Sequence, residues 1–322
     1  MNSPLLDKSL DFATQIVLFI ILLVIRLCLL LNKRWCVMNF KKNKFLIPIL
    51  VVSVIVVLFV WIIWSNKALE LNIYTINASD VPDNFNGYRI AHVSDLHNAE
   101  IGYENEKLIN MLKDADPDII VITGDIIDSR NTDIDVAYKF VLEAMGIAPC
   151  YYVTGNHESR INEYDKLKAE MISAGVYVLD DSSEKIEIFG DEITLIGIND
   201  PSFETNYPLE DAASITDSKL SDLCTDEEEF TVLLSHRPEL FETYVEHDVD
   251  LVFSGHAHGG QFRLPVLGGL VAPNQGFFPE YDSGIFSDDN TKMVVSRGVG
   301  NSIFPFRVNN RPEVILIELQ SQ

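Results

Sequence analysis

The chain has 322 residues, 47% of them hydrophobic, and a formal net charge of −24. That apolar share supports a sizeable core and excludes a disordered chain, and the length holds one large domain or two small ones. The acidic balance, with no basic stripe, excludes general nucleic-acid binding.

Two apolar stretches open the chain, at 12–31 and 45–64, each 20 residues long and almost free of charge. Each has the length of a bilayer-crossing helix. The second holds no ionisable residue and ends in Trp61 and Trp64, as an interfacial belt does. The first contains Arg26, which raises the free energy of insertion by about 2.5–3.5 kcal/mol near mid-span. Met38 opens a basic-then-apolar run of its own, so residues 1–37 read either as native or as an extension. Lys33, Arg34, Lys41, Lys42 and Lys44 place the segment between the stretches in the cytoplasm by the positive-inside rule. No small-x-small cleavage site follows, so the second stretch reads as an uncleaved anchor. The expectation is a membrane anchor over 1–67, with one or two transmembrane helices, and an extracytoplasmic domain over 68–322 at the cell membrane. The charge divides at the same place, with eight Lys/Arg against two Asp/Glu up to Lys67 and 16 against 46 after it.

Cys28, Cys36, Cys150 and Cys224 show no C-x-x-C spacing and read as small buried hydrophobes rather than a disulfide scaffold. Residues 70–76 alternate as a leading strand, and Pro82 with Asn86-Gly87 marks a turn. Residues 89–93 run apolar into Asp95-Leu96-His97, whose outer members share one face of an extended backbone. A helix is expected over 104–115, with Leu108, Met111 and Leu112 on one face and Asp116-Pro117 as its stop. Residues 119–123 are continuously apolar, as in a strand buried on both faces, and end at Gly124-Asp125. After a helix at 132–146, a strand at 150–154 ends at Gly155-Asn156-His157-Glu158.

A further helix at 162–174 leads to β-like runs at 176–179, 185–189 and 192–198. Residues 201–229 are polar and read as a solvated loop or short helix. The strand at 230–235 ends at His236, and the one at 251–254 ends at Gly255-His256-Ala257-His258. The Gly/Pro-rich segment 260–284 reads as an ordered loop over the site, and 293–297 and 314–319 as closing strands.

Five apolar runs thus end at turns carrying Asp, Asn or His. Strands alternating with helices predict an α/β domain whose ligands gather beyond the carboxyl ends of the strands. Of seven histidines, those at 97, 157, 236, 256 and 258 lie at such ends together with Asp95, Asp125 and Asn156. His92 and His247 lack the setting and read as ordinary side chains. Mixed nitrogen and oxygen donors suit Mn, Fe or Zn better than Mg or Ca.

The ordered set D-x-H, G-D-x-x-D, G-N-H-E, a lone His after a strand and G-H-x-H, spanning Asp95 to His258, resembles the calcineurin-like metallophosphoesterase superfamily. The resemblance implies the metallo-dependent phosphatase fold, a β-sandwich flanked by helices in four αββα layers. It also implies two divalent metal ions, the first held by Asp95, His97 and His258, the second by Asn156, His236 and His256, with Asp125 bridging. His157 would be the general acid and Asp128 would orient it. The implied reaction is hydrolysis of a phosphoric ester, as a phosphodiesterase or phosphatase, by a hydroxide shared between the ions. One departure stands out: many members place an Arg directly after that Asp, and here Ser129 precedes Arg130.

The runs GHAHGGQFRLP, APNQGFFPEYDSG and SRGVGNS look like the membrane-anchored bacterial branch that is YkuE-like or UDP-diacylglucosamine hydrolase-like. That branch implies a lipid-linked phosphoester or a UDP-sugar-lipid pyrophosphate substrate. Phe262, Leu264, Phe277, Phe278 and Tyr281 either rest on an acyl chain or pack the loop onto its own domain. The rival enzyme reading, a nucleotidase or nuclease-like diesterase, is disfavoured by the acidic charge. The rival outside enzymes is a membrane-held metal-binding or receptor protein that uses the fold without turnover.

Overall fold

The computed structural model describes residues 46–205, 209–224, 229–301 and 304–321, so the stretch at 12–31, Cys28 and Cys36 lie outside the described residues. The chain divides into two units, Met1–Trp61 and Ile62–Gln322. Helix α1 spans Leu46–Ser65. Among the described residues no helix is long and apolar enough to cross a membrane. The expectations that rested on a spanning helix are corrected by this finding: the one or two transmembrane helices ahead of the fold, the membrane as a partner, and a cell-membrane location with an extracytoplasmic domain.

The second unit is built on strands β1 (Glu70–Ala78), β2 (Arg89–Val93), β3 (Ile119–Thr123), β4 (Cys150–Val153), β5 (Tyr177–Val178), β6 (Ser182–Ile188), β7 (Asp191–Gly197), β8 (Thr231–Leu234), β9 (Leu251–Ser254), β10 (Gly284–Asp288), β11 (Thr291–Val295) and β12 (Glu313–Ser321). One six-stranded sheet runs β1-β12-β2-β3-β4-β5 and the other β10-β11-β9-β8-β7-β6. The strands that lead to the motifs pair in parallel, β2 with β3 and β3 with β4 in one sheet, β8 with β9 in the other. Their loops therefore leave from the same end.

Each central strand buries both faces, which is why its sequence is apolar throughout rather than alternating. Ile90, Val121 and Val153 of the first sheet share one core with Leu195, Val232 and Phe253 of the second. On its other face the first sheet packs Ala91, Ile120 and Ile122 under helices α2 (Glu106–Ala115), α3 (Ile134–Met145) and α4 (Tyr164–Ser173). The second packs Ile196, Leu233 and Val252 under α5 (Leu209–Leu223) and α6 (Phe241–Glu246). Each such Val, Leu, Ile or Phe side chain contributes about 1.5–3 kcal/mol on full burial. The α/β architecture with paired mixed sheets flanked by helices is the one expected.

Two segments differ from expectation. The polar stretch 201–229 contains the 15-residue helix α5, which buries only Thr216 and Leu220, so little apolar period shows in its sequence. Strand β10 is half polar and edge-lying, and it carries no apolar run to announce it. The 260–284 loop is ordered as two small hairpins, Arg263–Leu264 with Gly268–Gly269 and Val271–Ala272 with Gly276–Phe277. Asp282 pins it, accepting from the Gly269 amide and pairing with Arg263 at 3.1 Å.

Candidate metal centre

The loops leaving β2, β3 and β9 carry left-handed backbone at non-glycine residues: Asp95 (φ 53°), His97 (φ 47°), Asp125 (φ 50°), His256 (φ 64°) and His258 (φ 48°). Such conformations persist only where the surroundings enforce them, and they gather at functional sites. Here the enforcement is a lacing of one loop to the next. Asp95 N–H donates to Gly124 O (3.1 Å), His97 N–H to Asp125 O (2.9 Å) and Gly255 N–H to His236 O (3.2 Å).

Two buried clusters result. In the first, His97 Nε2 and His258 Nε2 face each other at 3.1 Å, with Asp95 Oδ1 at 3.7 and 3.3 Å from them. In the second, His236 Nε2 and His256 Nδ1 are 3.2 Å apart, and Asp125 Oδ2 lies 3.3 Å from His236 Nε2. The same Asp125 oxygen is 3.6 Å from His97 Nε2. Donor atoms about 2.1 Å from a common ion sit about 3.0–3.5 Å apart. The clusters therefore fit two ions with Asp125 between them, and together they form a binuclear divalent-metal site.

Orphaned atoms support the fit. Asn156 is buried at 5% exposure and its Oδ1 has no hydrogen-bond partner, a state that costs about 1–3 kcal/mol unless a cation takes the lone pair. His236 Nδ1 lies 2.7 Å from the Thr123 carbonyl, which can only accept. That hydrogen bond puts the proton on Nδ1 and turns the Nε2 lone pair toward the cluster.

His157 forms a third close group with His97 and Asp125. Its main-chain N–H donates to Asp125 Oδ1 (2.7 Å), so one carboxylate oxygen is used by the protein and the other faces the two clusters. Asp128 stands 3.5 Å from His157 Nδ1, and Arg130 engages both its oxygens at 2.9 and 2.6 Å. His92 sits in the core with Nε2 2.7 Å from Thr123 Oγ1, and His247 pairs with Asp217, in keeping with the ordinary reading of both.

Burial alone would raise the carboxyl pKa values of Asp95 and Asp125. The facing imidazoles, His258 for Asp95 and His236 for Asp125, hold both well below the usual range. Burial lowers His258 to about 3 and His157 to about 4. It works against His236 too, but Asp125 outweighs it and lifts that imidazole to about 10. A proton on His236 thus balances Asp125 where a cation would. At pH 7, below that value, the proton is still bound, and a metal must expel it. Metal titration at pH 7 is expected to release protons, with the release shrinking as pH rises toward 10. Calorimetry in buffers of different ionisation enthalpy reads this directly, and identical heats in all of them would contradict it.

Two parts of the site were not visible in the sequence. Glu158, fully buried, accepts from the amides of Asp125 (2.9 Å), Ile126 (3.0 Å) and Gly155 (2.7 Å), bracketing the loops after β3 and β4. Arg237, next to His236, is held by Asp200 at 2.5 and 2.9 Å and reaches His256 Nε2 at 3.1 Å. The only signals were the Glu closing G-N-H-E and an Arg directly after a candidate ligand.

The bracketed loops touch. A Cβ on Gly155 would lie 2.3 Å from Asp125 Oδ1. Gly155→Ala is expected to destabilise by about 1–3 kcal/mol through overpacking and to loosen the metals. Thermal unfolding with and without metal tests this, and an unchanged difference between the two would oppose it.

Residues 88–260 match the family model for calcineurin-like phosphoesterases, and the chain belongs to that family of metal-dependent phosphoesterases. Among similar proteins of Bacillus subtilis (strain 168), the uncharacterized metallophosphoesterase YkuE is 29% identical over 265 residues, covering 79% of this chain and 86% of that protein. The uncharacterized metallophosphoesterase YkoQ is 30% identical over 254 residues, covering 78% and 90%. Among solved structures, the phosphopantetheinyl hydrolase of Mycobacterium tuberculosis is 14% identical with a TM-score of 0.44, covering 66% of this chain and 89% of that one.

Proposed function

We propose that residues 68–322 form a two-metal phosphoester hydrolase domain of the YkuE-like group, acting as a phosphodiesterase or phosphatase. Asp95, His97 and His258 hold one ion, Asn156, His236 and His256 the other, and Asp125 serves both. The observation that carries this reading is the single Asp125 oxygen placed 3.6 Å from a nitrogen of the first cluster and 3.3 Å from one of the second. When bound, two divalent ions supply a nucleophilic water at neutral pH and neutralise the phosphoryl oxygens.

The chain's own residues do the rest. Asp125 and the loop lacing fix the spacing of the clusters. His157 occupies the general-acid position, beside both clusters without being needed to complete either, and donates to the departing oxygen. Similarity to YkuE over most of both chains supports the grouping. A lipid-linked phosphoester or UDP-sugar-lipid pyrophosphate as the substrate rests on the likeness to that branch and on the aromatics of the 260–284 loop.

The test is hydrolysis of a chromogenic phosphodiester by the full chain, metal-free and after loading with Mn²⁺. Turnover only in the loaded protein is expected. A fully loaded protein that stays inert would favour a metal-holding receptor instead.

A further inference from the structure

We infer that Asn66, just past the end of helix α1, is a positioning residue for the first metal position, acting through Arg307 on the turn that carries Asp95. This rests on the ligand sets proposed above, and it names the support on which one of the two depends.

Asn66 grips the main chain of Arg307 from both sides. Its Oδ1 accepts from the Arg307 N–H (2.7 Å) and its Nδ2 donates to the Arg307 carbonyl (2.8 Å). The two residues are 241 apart in the chain, so a side-chain amide does here what a neighbouring strand would do elsewhere. The same Nδ2 also donates to Ile62 O at 2.7 Å, which ties the grip to the last turn of the helix. Beside it, Arg311 donates to the carbonyls of Ala68 (2.9 Å) and Leu69 (3.2 Å) and stands 5.4 Å from the centre of the Trp64 ring. The end of α1 is thereby fixed to the segment ahead of β12.

Arg307 carries the restraint inward. Its side chain is fully buried, yet it is not held as Arg297 is, by the carboxylates of Glu313 and Glu70. Instead Nη1 donates to Arg297 O (2.6 Å) and Nη2 to Gly300 O. A guanidinium taken out of water is costly to leave unbonded, and its rigid fork fixes the two carbonyls that it meets. The turn so braced lies against Asp95. Val299 N–H donates to Ser94 O (3.0 Å) and Gly300 N–H to Asp95 O (2.7 Å), and a Cβ on Gly298 would lie 2.6 Å from that of Asp95. The same segment reaches the other end of the first set, where Asn310 Nδ2 donates to His258 O at 2.7 Å.

Asp95 and His258 thus rest on the stretch of chain that Asn66 holds. The second set hangs from different supports: Glu158 takes the Gly155 N–H ahead of Asn156, and the Thr123 carbonyl meets His236. Only His256 touches Asp95, through its main-chain N–H at 3.1 Å. Loosening the grip of Asn66 should therefore reach the first ion strongly and the second weakly.

The experiment uses the full chain with Co²⁺ as the probe, and competition with a chromogenic chelator gives the two dissociation constants. Asn66→Ala should weaken one of them about 10-fold and the other by less than about 2-fold, the larger figure being typical when support outside the coordination shell is lost. Asn66→Asp keeps an oxygen to accept the Arg307 N–H and should recover part of the loss. The weakened ion is identified in Asn156→Ala, which leaves the first set whole: its remaining ion should lose the same factor when Asn66→Ala is added. Equal weakening of both ions would make Asn66 a general support of the fold and overturn the inference. So would no weakening, no recovery in Asn66→Asp, or an unaffected ion in the Asn156→Ala background. Full retention of both ions in Asn156→Ala would instead contradict the ligand sets on which this rests.

Discussion

Replacing His157 with alanine is expected to lower kcat by about 10²- to 10³-fold, the loss associated with one well-placed donor to a developing oxyanion. Both metal ions should remain at wild-type occupancy. The second expectation is the sharper one, because His157 lies close enough to His97 and Asp125 to form a ligand group with them. Its Nδ1, however, is taken by Ser129 N–H, and each cluster has its own set of donors without it. Metal analysis of the purified variant beside steady-state kinetics checks both halves. A matching fall in metal content would make His157 a ligand and remove it from the leaving-group side.

Asp125→Ala should have the larger effect. One of its oxygens faces both clusters and the other accepts the His157 N–H, so truncation removes a ligand from each ion and a tie between the loops. Loss of a partner outside the first coordination shell typically weakens metal binding about 10- to 100-fold. Loss of a shared ligand should exceed that for both ions together, and hydrolysis should fall to background. Competition with a chromogenic chelator measures the two affinities. Independent behaviour, with one ion retained at full strength, would show that Asp125 belongs to a single cluster.

Why some of this architecture was legible and some not comes down to what a sequence displays. Strands β3 and β9 lie in the middle of their sheets, so every residue is apolar and the run stands out. The candidate ligands Asp95 and His97, and His256 and His258, are two apart at strand ends, a spacing that stays local whatever the fold does around it. Glu158 and Arg237 were hidden for the opposite reason. Their importance comes from burial among partners distant in the chain, and charged residues give no sign of it beforehand. The stretch at 45–64 misled because apolar composition made a spanning helix the natural expectation, and among the described residues no helix meets the length and apolarity required. Asp128 was assigned through family likeness; it lies 3.5 Å from His157 Nδ1, with the Ser129 N–H at 3.0 Å from the same nitrogen.

Strand β12, near the end of the chain, is wedged between β1 and β2, parallel to one and antiparallel to the other. Until residues 313–321 have been synthesised, the two earliest strands of that sheet each lack a neighbour, and the turn bearing Asp95 hangs from an unpaired edge. Ion uptake at this centre is thereby expected to wait until those residues are available to pair. A nascent chain stalled before Glu313 should bind metal poorly even though every proposed ligand is already in place along it.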